Sequence, residues 1–183
     1  MQCAPGSKEF VQRAAAISLL VLDVDGTLTD GSIYVDDAGA EFKRFNVRDG
    51  LGIKAWQRAG LTVAIVTARD VPSVNHRARQ LGIDLVVQGA HRKGDALDSL
   101  LKATGLTDVN VACIGDDWMD VPLFQRAALA FAVPEADAFT KSHAHVVTNA
   151  PGGDGAVREA VEALLQAKNL LDHVRLSFAG LGS

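Results

Sequence analysis

The stretch SLLVLDVDGTLTDG, Ser18 to Gly31, runs apolar through Leu22 and then sets Asp23 and Asp25 one residue apart, just before a glycine turn. A short apolar run bounded by a turn signal reads as a fully buried strand. Acids at the end of such a strand are costly unless an opposite charge meets them. A metal, a phosphate or both would supply it. Further runs of the same kind follow at Thr62–Val66, Leu85–Val87, Val109–Ile114, Leu129–Ala132 and His145–Val147. Helical patterns lie near Lys8–Ala16, Gly52–Ala59, Pro72–Leu81, Lys93–Thr104, Asp120–Arg126 and Asp154–Lys168. This alternation predicts an α/β fold, a doubly wound parallel sheet with its site at the carboxyl ends of the strands. One segment departs from it. GSIYVDDAGAEFKRF, Gly31 to Phe45, has two short apolar–polar stretches around Asp37-Ala38-Gly39 and reads as a protruding β-hairpin, about residues 32–45.

A chain of 183 residues fits one domain, 1–183, with a C-terminal tail at about residues 169–183. Hydrophobic residues make up 48% of it and charged ones 22%, enough apolar material for a core. The net charge of −4, without any basic run, argues against a nucleic-acid partner. No segment approaches membrane-spanning length, so no membrane partner is expected. Cys3 and Cys113 are too few for a disulfide framework, which suits a reducing compartment. The opening MQCAPGSKEFVQRAAAIS has no apolar signal core. The expected location is cytoplasmic.

The strand ends carry the chemistry. IGDDWMD follows the strand ending at Ile114 and brings Asp116, Asp117 and Asp120. If that strand neighbours the first, its acids converge with Asp23 and Asp25 into an oxygen-lined Mg2+ site. VTAR leaves Thr67 after the second strand, with a hydroxyl able to bond a phosphate oxygen. Lys93 opens a helix and offers a point positive charge, with Arg92 beside it as the alternative cation. Taken singly, Thr67 would be a helix cap, and Asp117 and Asp120 capping or supporting residues. The five histidines share no ligand spacing with one another or with cysteine.

In this order DVDGT, Thr67, Lys93 and GDDWMD resemble the four motifs of the haloacid dehalogenase-like phosphatases. DVDGTLTDG, FKRFNVRDGLGIK and GGDGAVRE extend the likeness to the 3-deoxy-D-manno-octulosonate 8-phosphate phosphatase branch, from Leu19 to about Leu165. TAR stands where that branch has TGR, and Ala68 is expected to crowd the loop. The resemblance implies a Mg2+-dependent phosphate-monoester hydrolase working through an aspartyl-phosphate. Asp23 would be the nucleophile and Asp25 the acid–base group. Thr67 and Lys93 would hold the phosphate oxygens. Asp23, Asp116 and the backbone carbonyl of Asp25 would be the metal ligands. The implied product feeds lipopolysaccharide sugar synthesis, and no organic cofactor is called for.

Residues 26–66 and 68–92, between the motifs, hold the hairpin, two helices and a strand, too little for a cap domain. Selectivity in a capless site must come from short elements or a neighbouring subunit. Arg48, Arg69 and Arg158 lie in the resembling stretches, and their planar forks suit the carboxylate of a sugar-acid phosphate. GGDGAVRE reads as a mobile loop entering a helix N-terminus, a ready anion site. Ile33, Tyr34, Val35, Phe42 and Phe45 are more than a small hairpin can bury, and its edges invite pairing. A homotetramer is expected, with four hairpins closed into a barrel as in the resembled branch. The apolar tail, Asn169 to Phe178, is expected to pack near an active site and restrict access. A nine-carbon sialic-type 9-phosphate remains the rival substrate. From other classes, a phosphoacceptor receiver-like signalling domain or a non-catalytic assembly subunit is left. A receiver carries its acceptor aspartate on the third strand, not the first.

Overall fold

The computed structural model describes residues 2–181. Helix α1 (Lys8–Ala15) leads into strand β1 (Leu19–Leu22), followed by β2 (Tyr34–Val35), β3 (Glu41–Phe42), α2 (Val47–Arg58) and β4 (Thr62–Val66). The chain continues through α3 (Pro72–Leu81), β5 (Leu85–Val87), α4 (Lys93–Thr104), β6 (Val111–Gly115) and α5 (Val121–Phe124). Last come β7 (Leu129–Ala132), α6 (Ala138–His143), β8 (Val146–Val147), α7 (Ala156–Ala167) and α8 (Leu171–Phe178).

Six strands form one parallel sheet in the order β5-β4-β1-β6-β7-β8, and β2-β3 is a separate antiparallel hairpin. This is the expected α/β, doubly wound architecture. β1 is buried at every residue, as its unbroken apolar run requires. Its register aligns Leu22 with Ile65 of β4 on one side and Ile114 of β6 on the other. Asp23, Thr67 and Asp116 therefore leave the sheet at one edge. The Asp23 amide donates to the Ile114 carbonyl at 3.1 Å, carrying the β1–β6 ladder to the first acid.

Several boundaries differ from the sequence reading. The strand expected at Val109–Ile114 starts at Val111, because Asp108–Asn110 is a 3₁₀ turn closed by Thr107 and Asn110. α2 starts at Val47 rather than Gly52, where the Asn46 side chain accepts from the Arg48 amide at 2.7 Å. Gly50 and Gly52 weaken the helical signal in its first turns. Gly52 has a packing reason: a Cβ there would lie 3.0 Å from the Arg158 Cα, so glycine lets α2 and α7 approach closely. The stretch Asp120–Arg126 divides into a 3₁₀ turn, Trp118–Asp120, and the single turn of α5. α6, capped by Asp137, and α8 have no counterpart in the sequence reading.

α8 gives the tail a place on its own chain away from its own cavity, and its expected role at an adjacent subunit's site stays a proposal. Leu171 and Val174 bury against the core, and the Arg58 guanidinium lies 4.3 Å from the centre of the Phe178 ring. The segment covers α2 and α7, and none of its residues lines the cavity at the carboxyl edge of its own sheet. Residues 182 and 183 of the tail lie outside the described residues.

The GGDG segment corrects the sequence reading. Its amide at Gly153 donates to the Thr27 carbonyl at 2.8 Å, and side chains at Gly152 or Gly153 would collide with the backbone of residues 26–30. It is a seated turn bracing the loop after β1. The N-terminus of α7 is already filled by the buried Asp49 carboxylate, which accepts from the Gly155 and Arg158 amides at 3.1 and 2.9 Å. No helix among the described residues is long and apolar enough to cross a membrane.

Candidate active site

A cavity of about 300 Å3 opens at the carboxyl edge, lined by Asp23, Asp25, Thr67, Ala68, Arg69, Lys93 and Asp116 among others. Gly26, at φ +82°, turns the chain beside it. A Cβ on Gly26 would run into the Asp116 carboxylate, so only glycine permits this approach of the β1 and β6 loops.

Lys93 lies behind the acids. Its Nζ is 2.5 Å from Asp23 Oδ1 and 2.5 Å from Asp120 Oδ1, with the side chain only 3% exposed. Arg92, the alternative cation, points outward to Asp95. Asp120 Oδ2 accepts from the Asp116 and Asp117 amides at 3.1 and 3.3 Å, so both its oxygens are engaged. Asp117 caps the 3₁₀ turn through the Trp118 amide. Thr67 is held by its backbone, donating to the Val87 carbonyl and accepting from the Ala90 amide. Its Oγ1 is 3.3 Å from the Arg69 amide. Among the described non-glycine residues only Asn169 has a positive φ, so Ala68 takes its place in the loop without backbone strain.

The electrostatics ask for a cation. Asp23, Asp116 and Asp120 each bring a carboxylate oxygen within 4.8 Å of the others. Burial, then the neighbouring charges of Asp120 and Asp116, push the Asp23 carboxyl well above its usual range against the pull of Lys93. Burial and the Asp120 charge likewise raise Asp116 to about 7. For Lys93, burial works against the ammonium, but Asp23 and Asp120 outweigh it and its pKa rises. One ammonium thus faces more carboxylate charge than it can offset. The donors are all hard oxygens, which fits a divalent metal of the Mg2+ type. Since Asp120 is already committed to Lys93 and two amides, Asp23 and Asp116 are the carboxylates free to serve it.

The pH consequence follows from sign. Asp116 holds its proton up to about pH 7 when folded but releases it near 3.8 when unfolded. The folded form binds more protons in between, so metal-free stability falls as pH rises from about 4 to about 7. Melting in EDTA is expected to weaken across this window, and added divalent metal to restore most of the loss at its upper end. A metal-free melting temperature that rises steadily from pH 5 to 7 contradicts this electrostatic picture.

Of the three expected arginines, only Arg69 lines the cavity. It pairs with Glu41 of the hairpin. Arg48 and Arg158 line a separate hollow of about 580 Å3 along α7 and the start of α8. Arg158 there pairs with Glu162 at 2.6 Å. A single chain does not bring these two to the acids. Lys43, absent from the expected set, does reach them: its ammonium bonds Asp25 Oδ1. A surface lysine and a buried one read alike in sequence, and only the hairpin's fold over the site distinguishes this one.

Residues 85–159 match the family model of haloacid dehalogenase-like hydrolases. The chain is 41% identical over 171 residues to the 3-deoxy-D-manno-octulosonate 8-phosphate phosphatase KdsC of Escherichia coli K12, covering 93% of this chain and 91% of that one. The structure of the enzyme of that name from Moraxella catarrhalis, in complex with magnesium ion, phosphate ion and KDO, superposes with a TM-score of 0.89 at 39% identity, over 92% of this chain and 97% of that one. The cobalt-bound deoxy-D-mannose-octulosonate 8-phosphate phosphatase of Haemophilus influenzae gives a TM-score of 0.88 at 38% identity, over 93% and 99%.

Proposed function

The chain belongs to the haloacid dehalogenase-like hydrolases, in the 3-deoxy-D-manno-octulosonate 8-phosphate phosphatase family, and we propose that it releases phosphate from that eight-carbon sugar-acid phosphate in a Mg2+-dependent reaction. The observation that carries the reading is the convergence of Asp23, Lys93 and Asp116 at one sheet edge beside Asp25 and Thr67.

Asp23 attacks phosphorus and forms an aspartyl-phosphate as the sugar oxygen departs. Its carboxylate is aimed by Lys93, whose bond to Oδ1 leaves the other oxygen for the phosphate. Asp25 gives its proton to the leaving sugar oxygen, then takes one from the water that hydrolyses the intermediate. The Thr67 hydroxyl and the Lys93 ammonium hold phosphate oxygens where charge gathers in the transition state. Asp23, Asp116 and the Asp25 backbone carbonyl are the groups that would hold Mg2+, which when bound supplies positive charge between two anions and fixes their approach. Arg69 receives the sugar-acid carboxylate at the cavity wall.

The protein acts in the cytoplasm as a homotetramer, feeding lipopolysaccharide sugar synthesis. Support for assembly comes from the hairpin, where Ile33, Val35 and Phe42 remain more than half exposed. Neighbouring copies covering these faces would also narrow a capless site. Arg48 and Arg158, remote from the acids of their own chain, act on substrate only through such a neighbour. A monomer mass by light scattering contradicts the assembly.

Phosphate release from a panel of eight- and nine-carbon sugar-acid phosphates tests the substrate. The eight-carbon 8-phosphate is expected to have the highest kcat/KM, by about 10-fold or more over the nine-carbon 9-phosphate. A preference for the nine-carbon compound overturns the assignment.

A further inference from the structure

We propose that Lys43 is a positioning residue for Asp25, fixing the orientation of its carboxyl at the cavity wall; this rests on the reading of Asp25 as the acid–base group. Lys43 follows β3, and its side chain is only 1% exposed. A lysine is seldom buried so far unless its ammonium is paired. Here it bonds Asp25 Oδ1 and lies 3.1 Å from Glu41 Oε1. Glu41 in turn pairs through its other oxygen with Arg69 on the cavity wall. One turn of hairpin thus ties the acid–base group to the cation proposed for the sugar-acid carboxylate.

The two oxygens of Asp25 are made unlike. Torsion about the terminal carboxyl bond is broad and nearly two-fold, so a free aspartate exchanges its oxygens readily. An ammonium has donors only. Oδ1, facing it, accepts and so fixes the rotamer. Oδ2 is buried and has no partner within the protein, so Lys43 is the side chain that anchors this carboxyl where Asp25 lines the cavity. In the first half-reaction the Asp23–phosphorus bond forms, the phosphorus–sugar oxygen bond breaks, and the Asp25 carboxyl proton passes to the sugar oxygen. In the second, water oxygen bonds phosphorus, the Asp23–phosphorus bond breaks, and a water proton returns to the Asp25 carboxylate. Lys43 touches neither substrate nor reacting atoms.

The test compares two leaving groups in single turnovers of the Mg2+-loaded enzyme: the eight-carbon sugar-acid phosphate, whose alkoxide needs a proton, and p-nitrophenyl phosphate, whose phenolate needs little. Lys43→Met is expected to slow the sugar phosphate about 100-fold and the aryl phosphate less than about 5-fold. Lys43→Arg, which keeps a donor-only cation, is expected to recover most of the difference. If the methionine variant does not fold, Lys43→Gln is read the same way, with a skew of at least about 5-fold expected. Equal losses on both substrates, or none on the sugar phosphate, overturn the role of Lys43. Asp25→Asn, run alongside, must show the skew at least as strongly. If it does not, the acid–base reading of Asp25 fails instead.

Discussion

Replacing Asp23 by asparagine is expected to lower kcat by at least about 1,000-fold while leaving the fold in place. The amide is nearly isosteric and its oxygen still accepts from Lys93, which lies 2.5 Å from Asp23 Oδ1. It also removes one of three mutually repelling carboxylates, so no loss of melting temperature is expected in the metal-free state. What it lacks is an anionic oxygen able to bond phosphorus. Phosphate release under saturating substrate, beside a melting curve, separates the two effects. A folded variant that keeps more than about a tenth of the wild-type kcat shows that Asp23 is not the nucleophile.

Removing the metal is the second large effect. EDTA is expected to abolish turnover and Mg2+ to restore it, because an anionic nucleophile and an anionic phosphate cannot approach within a buried acid cluster otherwise. Asp116→Ala is expected to raise the Mg2+ concentration for half-activation at least about 10-fold. The same change on Asp120 acts differently, since that carboxylate serves Lys93 and two amides. Its loss leaves a buried ammonium with one partner and costs stability first. Activity that survives exhaustive chelation contradicts the metal site.

What the sequence disclosed follows from how local its signals are. The run Leu19–Leu22 ending in Asp23 is legible because apolar burial and a terminal acid conflict unless something resolves them. The hairpin is legible for a similar reason, its turn being written in Asp37-Ala38-Gly39. The start of α2 is obscured by Gly50 and Gly52, poor helix formers kept for close contacts with Arg77 of α3 and Arg158 of α7, far along the chain. α8 lies in a stretch legible only as an apolar tail, and it is the apolar surface of α2 and α7 that gives Leu171 and Val174 a place to bury.

The site divides along the same line. Asp23, Asp25, Thr67, Lys93 and Asp116 sit at or near strand ends, so a sheet order guessed from alternation is enough to gather them. Arg48 and Arg158 belong to helices whose rotation no strand pattern specifies, and they face another hollow. Lys43 is the converse case. Its importance depends on the hairpin lying back over the first loop, a long-range contact without a local signature.

The central claim is that phosphate passes through a covalent bond to Asp23. Rapid acid quench of the Mg2+-loaded enzyme with the eight-carbon sugar-acid phosphate, followed by peptide mapping, tests it most directly. The account predicts a phosphoryl group on the peptide bearing Asp23, cleaved by hydroxylamine as an acyl-phosphate is, appearing and decaying at rates consistent with turnover. A phosphoryl group on another residue, or full turnover with no acyl-phosphate at any quench time and formation of the intermediate known to be faster than its decay, would contradict it.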